Sequence, residues 1–417
     1  MAPDTMQVRL HLQLIRVLAV VVDALDELVV AVVSTRSWSR CPWCGLLCRT
    51  VHDTRLRRIR DLPVSGRRVT LVWHRRRFSC DGCGERHLEA HGEFEGRLTR
   101  RLARTVVADT KVMSVRAVAR RHRLSWAVVM ELVREWATLV AAHRRSQRCR
   151  VLLVDETSMR RRHRYVTVLQ NGETGEVLAM VAHRNEAALS GFLAAQGRRW
   201  CAGVQVVVTD GSKSYRAAVA RHLGHATHVL DRFHVVRWFA AGLTLVRREL
   251  QRREPRGLVR PAYDPQLFRS RFALLRRADS LEEPDREELQ KLFARHPRIG
   301  LGWEALQELY GLYLAEDRAG AMAALGRFCD LYATGQIPEF HDVVDTILAW
   351  SSEILAFHDP GAGRISNGRL EGTNNKLQIL RRVAHGFTNR ANFEARGILA
   401  CPAVTRSRQP SSAVVTP

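Results

Sequence analysis

The chain has 417 residues, 46% of them hydrophobic, which is enough for packed cores and, at roughly 100–200 residues per domain, for two to four domains. Lys+Arg number 66 against Asp+Glu 42, giving a net charge of +24 and a pI of about 11.0, which excludes an acidic, apolar-poor activator. No uncharged apolar run reaches the ~18 residues of a membrane span, and no small-residue cleavage site follows the short apolar run before Asp23. A cytoplasmic protein is expected, with no membrane partner.

The first valine-rich stretch, Val17 to Val33, is broken by Asp23, Asp26 and Glu27 and reads as two short strands around a turn. Two knuckles follow, Cys41-Pro-Trp-Cys44-Gly and Cys80-Asp-Gly-Cys83-Gly. A C-x-x-C followed by glycine lets two thiolates grip one ion while the backbone turns through φ > 0. Cys41, Cys44, Cys80 and Cys83 therefore form the Cys₄ set of a zinc ribbon, with structural Zn²⁺ favoured over a disulfide or a redox pair. The residues between the knuckles read as a hairpin with candidate strands Arg67–Trp73 and Arg75–Phe78. Residues 1–97 make this N-terminal β-hairpin and zinc-ribbon domain.

Residues 98–142 are expected to hold a helix-turn-helix. Ser114 caps a short amphipathic helix, His122-Arg-Leu124 breaks it, and Ser125 caps a second helix from Trp126 to about Trp136. In that motif the second helix enters the DNA major groove. Candidate DNA contacts are Arg116, Arg120, Arg121, Arg123, Trp126 and Arg134. From Ser34 to Arg150 there are 27 Lys+Arg against 10 Asp+Glu, a net of +17 and most of the chain's excess. A cationic block this dense is the footprint of a polyanion, here double-stranded DNA.

Beyond it, strand and helix signals alternate. Val151–Asp155 is an apolar run ending in acid, and Val204–Asp210 repeats the pattern. Strands Arg164–Gln170 and Val177–Ala182, a helix Glu186–Gln196 and a last strand Thr227–Leu230 complete an order β(Asp)–β–β–α–β(Asp)–α–β. This is the order of an RNase H-like core, which brings the two aspartates together. Such cores take a third carboxylate from a late helix, and the candidate is Glu371. Three hard oxygen ligands suit two Mg²⁺ or Mn²⁺ ions that clamp an in-line phosphoryl displacement. Taken singly, each aspartate reads as a turn or cap residue; the ordered trio favours the metal site. The expected division is 143–234 for the first part of the core, 235–365 for an all-helical insertion, 366–401 for the last core helices and 402–417 for a disordered tail. The fold class is multidomain α+β: zinc ribbon, helix-turn-helix, and an RNase H-like α/β catalytic core interrupted by an all-α insertion.

The motifs together resemble the ISL-three family of insertion-sequence transposases. They are the ribbon with Asp61-Leu-Pro63 and Arg76-Arg-Phe78, then Val154-Asp-Glu156, Tyr165-Val-Thr167, Val229-Leu-Asp-Arg-Phe-His234, Ser366-Asn-Gly-Arg-Leu-Glu-Gly-Thr-Asn-Asn-Lys376 and His385-Gly-Phe387, in order over nearly the whole chain. The resemblance implies a DDE triad of Asp155, Asp210 and Glu371, with His234 beside the scissile phosphate. Seven positions after the glutamate, where the family often carries a basic residue, stands Gln378, and Lys376, Arg381 and Arg382 are expected to contact transposon-end DNA in its stead. It further implies binding of terminal inverted repeats and target DNA, as a homo-oligomer on DNA, with metal-dependent cleavage and strand transfer. Two rivals remain: a catalytically inactive zinc-dependent DNA-binding regulator, and a host RNase H-like nuclease.

Overall fold

Acidic residues interrupt the valine-rich run, and in the computed structural model, which describes residues 10–160, 164–253, 256–257, 260–261, 265–333 and 340–401, the chain reverses there. Strand β1 (Ile15–Asp23) pairs antiparallel with β2 (Glu27–Ser34), as the sequence predicts. The tail from 402 onward lies outside the described residues. The chain divides into two units, Met1–Leu139 with Leu380–Gly386, and Val140–Ile379 with Phe387–Pro417, and each is taken by itself.

In the first unit, β3 (Ser39–Arg40), β4 (Leu47–Cys48), β5 (Val51–Val64), β6 (Arg67–Ser79), β7 (Arg86–Leu88), β8 (Phe94–Glu95) and β9 (Leu98–Thr99) follow. The main sheet runs β1-β2-β6-β5-β9-β8, with β7 also on β6. Ser65 and Gly66, at φ 51° and 77°, form the two-residue turn that joins β5 to β6 and matches the strand twist. The two strands expected at Arg67–Trp73 and Arg75–Phe78 are one: His74 pairs with Leu56 across the ladder and points away from the buried Trp73 side, so alternation continues through it. The core gathers Leu28, Val30, Val32, Ile59, Val69, Leu71 and Trp73. Asp61 of the Asp-Leu-Pro motif is fully buried, accepts from Thr99 Oγ1 at 2.7 Å and Arg101 Nε at 2.8 Å, and so pins β9 and the start of the next helix to β5.

That helix, α1 (Arg100–Asp109), precedes α2 (Val115–His122) and α3 (Trp126–Ser146). Ser114 caps α2 by accepting from Ala117 N at 3.2 Å, and Ser125 Oγ accepts from Val128 N at 3.3 Å. The break is made without glycine: Arg123 takes the left-handed conformation, φ 49°, and ends α2. Helix α3 runs ten residues past the expected end at Trp136, because Ala137 and Ala141 continue the buried stripe and no glycine or proline stops it.

In the second unit, β10 (Val151–Arg160), β11 (Arg164–Asn171), β12 (Val177–Ala182), α4 (Glu186–Gln196), α5 (Arg198–Ala202), β13 (Val206–Thr209), α6 (Lys213–Leu223) and β14 (Thr227–Leu230) follow the predicted order, with α5 added. The sheet order is β12-β11-β10-β13-β14. β11 lies antiparallel to both β10 and β12, while β13 is parallel to both β10 and β14. Leu152, Val154, Leu169 and Val207 on one face pack against Leu189, Phe192 and Leu193 of α4 and Tyr215, Ala218 and Val219 of α6. The stretch expected to be wholly helical contains α7 (Arg232–Arg253), α8 (Pro265–Arg269), α9 (Glu283–Arg295), α10 (Pro297–Leu314), α11 (Arg318–Ala333), α12 (His341–Ala349) and α13 (Ser351–Leu355). It also holds a two-residue strand pair, β15 (Arg256–Gly257) with β16 (Arg260–Pro261), where proline forbids helix. Two late helices, α14 (Gly368–Val383) and α15 (Arg390–Ala400), close the described chain.

Candidate metal centres

The two cysteine knuckles are built alike. Cys41 N donates to Leu46 O at 2.8 Å and Gly45 N to Cys41 O at 3.0 Å; Cys80 N donates to Glu85 O and Gly84 N to Cys80 O, both at 2.9 Å. Gly45 and Gly84 stand at φ 77° and 74°, the conformation that the motif requires. The four thiols lie within 4.8 Å of one another, with Cys41 Sγ 3.7 Å from Cys83 Sγ and Cys44 Sγ 3.4 Å from Cys80 Sγ. A tetrahedral zinc with Zn–S near 2.3 Å sets its sulfurs ~3.8 Å apart, so the cluster fits zinc and is far too open for a disulfide. Within this interacting set the backbone N–H groups of Cys83 and Gly82 bring the Cys80 thiol down to about 6, while burial and the neighbouring thiols push those of Cys44 and Cys83 up. Cys48 lies buried against the cluster, and burial pushes its thiol up to about 11.

The second centre lies where strands of unequal length end. Strand β13 accompanies β10 only over Val151–Leu153, so Asp155 stands just beyond the pairing, Asp210 directly follows β13, and Asp231 follows β14. Side-chain ligand atoms of Asp155, Asp210 and His234 lie within 4.8 Å of one another. Burial pushes the Asp155 carboxyl up to about 6, against the Glu156 N–H that donates to it at 2.7 Å. For His234, burial is the largest influence and lowers the pKa, but the 3.1 Å hydrogen bond from Nδ1 to the fully buried Asp231, together with the charges of Asp231 and Asp155, outweighs it and the net shift is upward. Gly211, at φ 79°, sits so close to Trp238 of α7 that a Cβ there would meet its ring at 2.5 Å. Only glycine lets the chain turn immediately after Asp210.

Glu371 is on α14, half-buried, and is not among the three residues that converge. The neighbour that reaches Asp155 is one turn later: Asn374 Nδ2 donates to Asp155 Oδ2 at 2.8 Å and to Glu156 O at 3.3 Å. Residues three apart share a helix face, so Glu371 and Asn374 point to the same side of α14. Among the described residues, Asn374 Oδ1 is buried with no hydrogen-bond partner, an orphan oxygen on the side chain that holds Asp155, and the donor set fits a hard divalent cation. Sequence reasoning missed Arg184, whose Nε lies 2.5 Å from Glu156 Oε2 and whose guanidinium is 3.7 Å from Asp210. It also missed Asn367, which donates Nδ2 to Val154 O at 3.1 Å and its N–H to Asp231 Oδ1 at 2.9 Å. The asparagine-rich motif around Glu371 held that signal; nothing in the sequence singled out Arg184 among 66 basic residues.

The candidate DNA contacts Arg116, Arg120, Arg121, Arg123 and Arg134 are all exposed, and Trp126 is 48% exposed on the first turn of α3. Arg121 also pairs with Asp109 at 3.5 Å. On α14, Lys376 and Arg382 are exposed and Arg381 is half-buried. Among the described residues, no helix is long and apolar enough to cross a membrane.

Comparison with known proteins gives these features a context. The ISL3-type DDE profile, described as "Transposase", matches residues 152–397, and one described as "zinc-finger of transposase IS204/IS1001/IS1096/IS1165" matches residues 39–83. Over 359 residues the chain is 28% identical to the transposase for insertion sequence element IS1001 of Bordetella parapertussis, covering 85% of this chain and 86% of the relative. Over 290 residues it is 27% identical to the transposase for insertion sequence element IS1557 of Mycobacterium tuberculosis, covering 65% and 64%. The first profile spans more than half of the chain, with the whole acidic centre inside it, and the class is that of a DDE transposase. The chain belongs to the ISL3 family of these enzymes, and its Cys₄ cluster is the zinc ribbon of that family.

Proposed function

We propose that this transposase binds the terminal inverted repeats of its element through the zinc ribbon and a helix-turn-helix formed by α2 and α3. Cleavage of the 3′ ends and their transfer to target DNA then fall to the acidic centre. The observation that carries the reading is the convergence of Asp155, Asp210 and His234 at the ends of adjacent strands. The sheet order, with one antiparallel flank and two parallel neighbours, supports an RNase H-like core. Asp155 and Asp210, joined by Glu371 from α14, would hold Mg²⁺ or Mn²⁺, two ions in the complete site. Bound there, the ions supply Lewis-acid stabilisation of the attacking and leaving oxygens.

The chain's own residues do the positioning. Asp231 orients the His234 ring, which in this reading stands beside the scissile phosphate and stabilises its charge. Asn374 fixes one oxygen of Asp155, and the burial that raises the Asp155 carboxyl keeps bulk water from competing for it. Arg116, Arg120, Arg121, Arg123 and Arg134 meet phosphates and base edges from α2 and α3, with Trp126 at the start of the recognition helix. Lys376, Arg381 and Arg382 of α14 would hold transposon-end DNA.

The test is a cleavage and binding assay on a labelled inverted-repeat duplex. Glu371→Gln, Asp155→Asn and Asp210→Asn should each keep end binding and lose strand cleavage by a factor of at least about 10³ in Mg²⁺ or Mn²⁺. Asp342→Asn, on α12, should behave as wild type. Cleavage by the Glu371→Gln protein near the wild-type rate rejects Glu371 as the third ligand, and wild-type protein that binds ends without cutting them favours the regulator.

A further inference from the structure

Two sequence features have no part in the proposed function: Glu156, which directly follows the first aspartate, and the motif Tyr165-Val-Thr167. In the fold both converge on Arg184. Its Nε lies 2.5 Å from Glu156 Oε2 on β10, while its terminal nitrogen is 3.7 Å from Asp210 Oδ2, beyond hydrogen-bonding range. The Tyr165–Thr167 segment acts through the residue before it. His183 N donates to Tyr165 O at 3.2 Å, and Thr167 Oγ1 donates to His183 O at 2.7 Å. Thr167 Oγ1 in turn accepts from the Tyr215 hydroxyl at 2.7 Å, and both of these side chains are wholly buried.

Those bonds hold His183 at φ 69°, in the left-handed region that residues other than glycine seldom enter. On the other flank Asn185 caps α4, its side chain accepting from Ala188 N at 3.0 Å. The backbone of Arg184 is therefore fixed from both sides, and a strained turn aims it across the acidic centre. An ion pair to Glu156 alone would gain little at a half-exposed site and would not need such a turn. The Arg184 side chain is 47% exposed, and among the described residues its guanidinium makes no polar contact besides the two above. With five N–H donors in a planar fork, most of its capacity stays open to solvent. Asp155, Glu156, Asp210 and Asp231 set four carboxylates close enough to act on one another here, so a DNA strand must approach against negative charge.

We propose that Arg184 is a phosphate-binding residue of the acidic centre. Glu156 anchors its Nε, and its remaining donors take a non-bridging oxygen of the DNA phosphodiester at the cleavage point or of one next to it. The planar fork matches a phosphate in a way that a lysine cannot. The inference rests on the reading of the acidic centre as the place of strand cleavage, and it adds to His234 a second cation with a fixed direction.

A binding cycle tests it. The inverted-repeat duplex is made with a methylphosphonate, which carries no charge, at the cleaved bond or at either neighbouring phosphate. Its affinity for the full-length, zinc-loaded protein is measured with Ca²⁺, a hard cation that also takes oxygen ligands, in place of Mg²⁺. At one of the three positions the methylphosphonate should weaken wild-type binding at least about tenfold more than it weakens binding by Arg184→Gln, because the variant has no contact left to lose. Arg184→Lys keeps a cation without the fork and should retain part of that difference, a pattern that a folding defect in Arg184→Gln could not mimic. Equal losses for wild type and Arg184→Gln at all three phosphates overturn the proposal and leave Arg184 a counter-ion of Glu156. The acidic centre as the cleavage site fails separately: it falls if Asp155→Asn cuts the duplex at the wild-type rate, and it stands if that variant is inactive while the binding cycle shows no difference.

Discussion

His228 on β14 shows how one side chain can make stability depend on pH. Its Nε2 lies 2.8 Å from Thr209 Oγ1, and the ring stands edge-on to Trp350. Burial, reinforced by the nearby Arg216 charge, pushes its pKa down to about 4. Glu353 is 3.9 Å away but is held by Arg216 at 2.5 Å, which leaves His228 little of its attraction. The folded protein thus refuses a proton that the unfolded chain accepts below about 6.5. The full contribution is present above that value, declines as pH falls, and reaches a loss of about 3 kcal/mol near pH 4. His228→Asn should make the acid side of a urea-stability profile shallower between pH 6.5 and 4; an unchanged slope would show that other groups govern it. None of this was legible in the sequence, where His228 is one of 17 histidines on an ordinary apolar strand.

At the scale of elements, the telling contact is between α14 and β10. Because β13 stops early, the carbonyls of Val154, Glu156 and Ser158 on that margin of β10 lack a strand to pair with. Amides replace it: Asn367 takes Val154 O, Asn374 takes Glu156 O, and Gln378 Nε2 donates to Ser158 O at 2.9 Å and Thr157 Oγ1 at 2.7 Å. A lysine at 378 could not place an amide there, which gives the departure from the family's common basic residue a structural role. Gln378→Leu should cost about 1–3 kcal/mol by stranding those acceptors. Gln378→Glu should cost no less, since a carboxylate cannot donate to Ser158 O. Urea titration of the metal-free protein measures both, and a neutral Gln378→Glu would refute the ladder. The strands and helices of the second unit were readable because apolar runs, caps and turns agreed along the chain. The ladder was not, because it depends on how far β13 falls short of β10, a difference of a few residues that periodicity does not encode.

For the whole molecule, the two metal centres should fail separately. Cys80→Ser removes one of four thiolates, and zinc-site formation typically supplies ~10–16 kcal/mol of folding energy. The expected outcome is loss of about one zinc per chain and of end binding, with the thermal transition of the sheet-bearing second unit retained. Full zinc retention by this variant would mean that Cys48 or another group takes the vacant position. The Cys₄ set was legible outright, since spacing and glycines alone specify it; the meeting of Asp155 and Asp210 was legible in the strand order, His234 only through the family resemblance, and the asparagines around them not at all. Asp231 and Asn367, finally, lie 136 positions apart in sequence and share a hydrogen bond of 2.9 Å. The helical segment between them thus leaves and re-enters the core at a single point, as a side branch joins a trunk. A change in its length or content need not displace either residue, which makes this junction the natural place to graft a different module onto the same sheet.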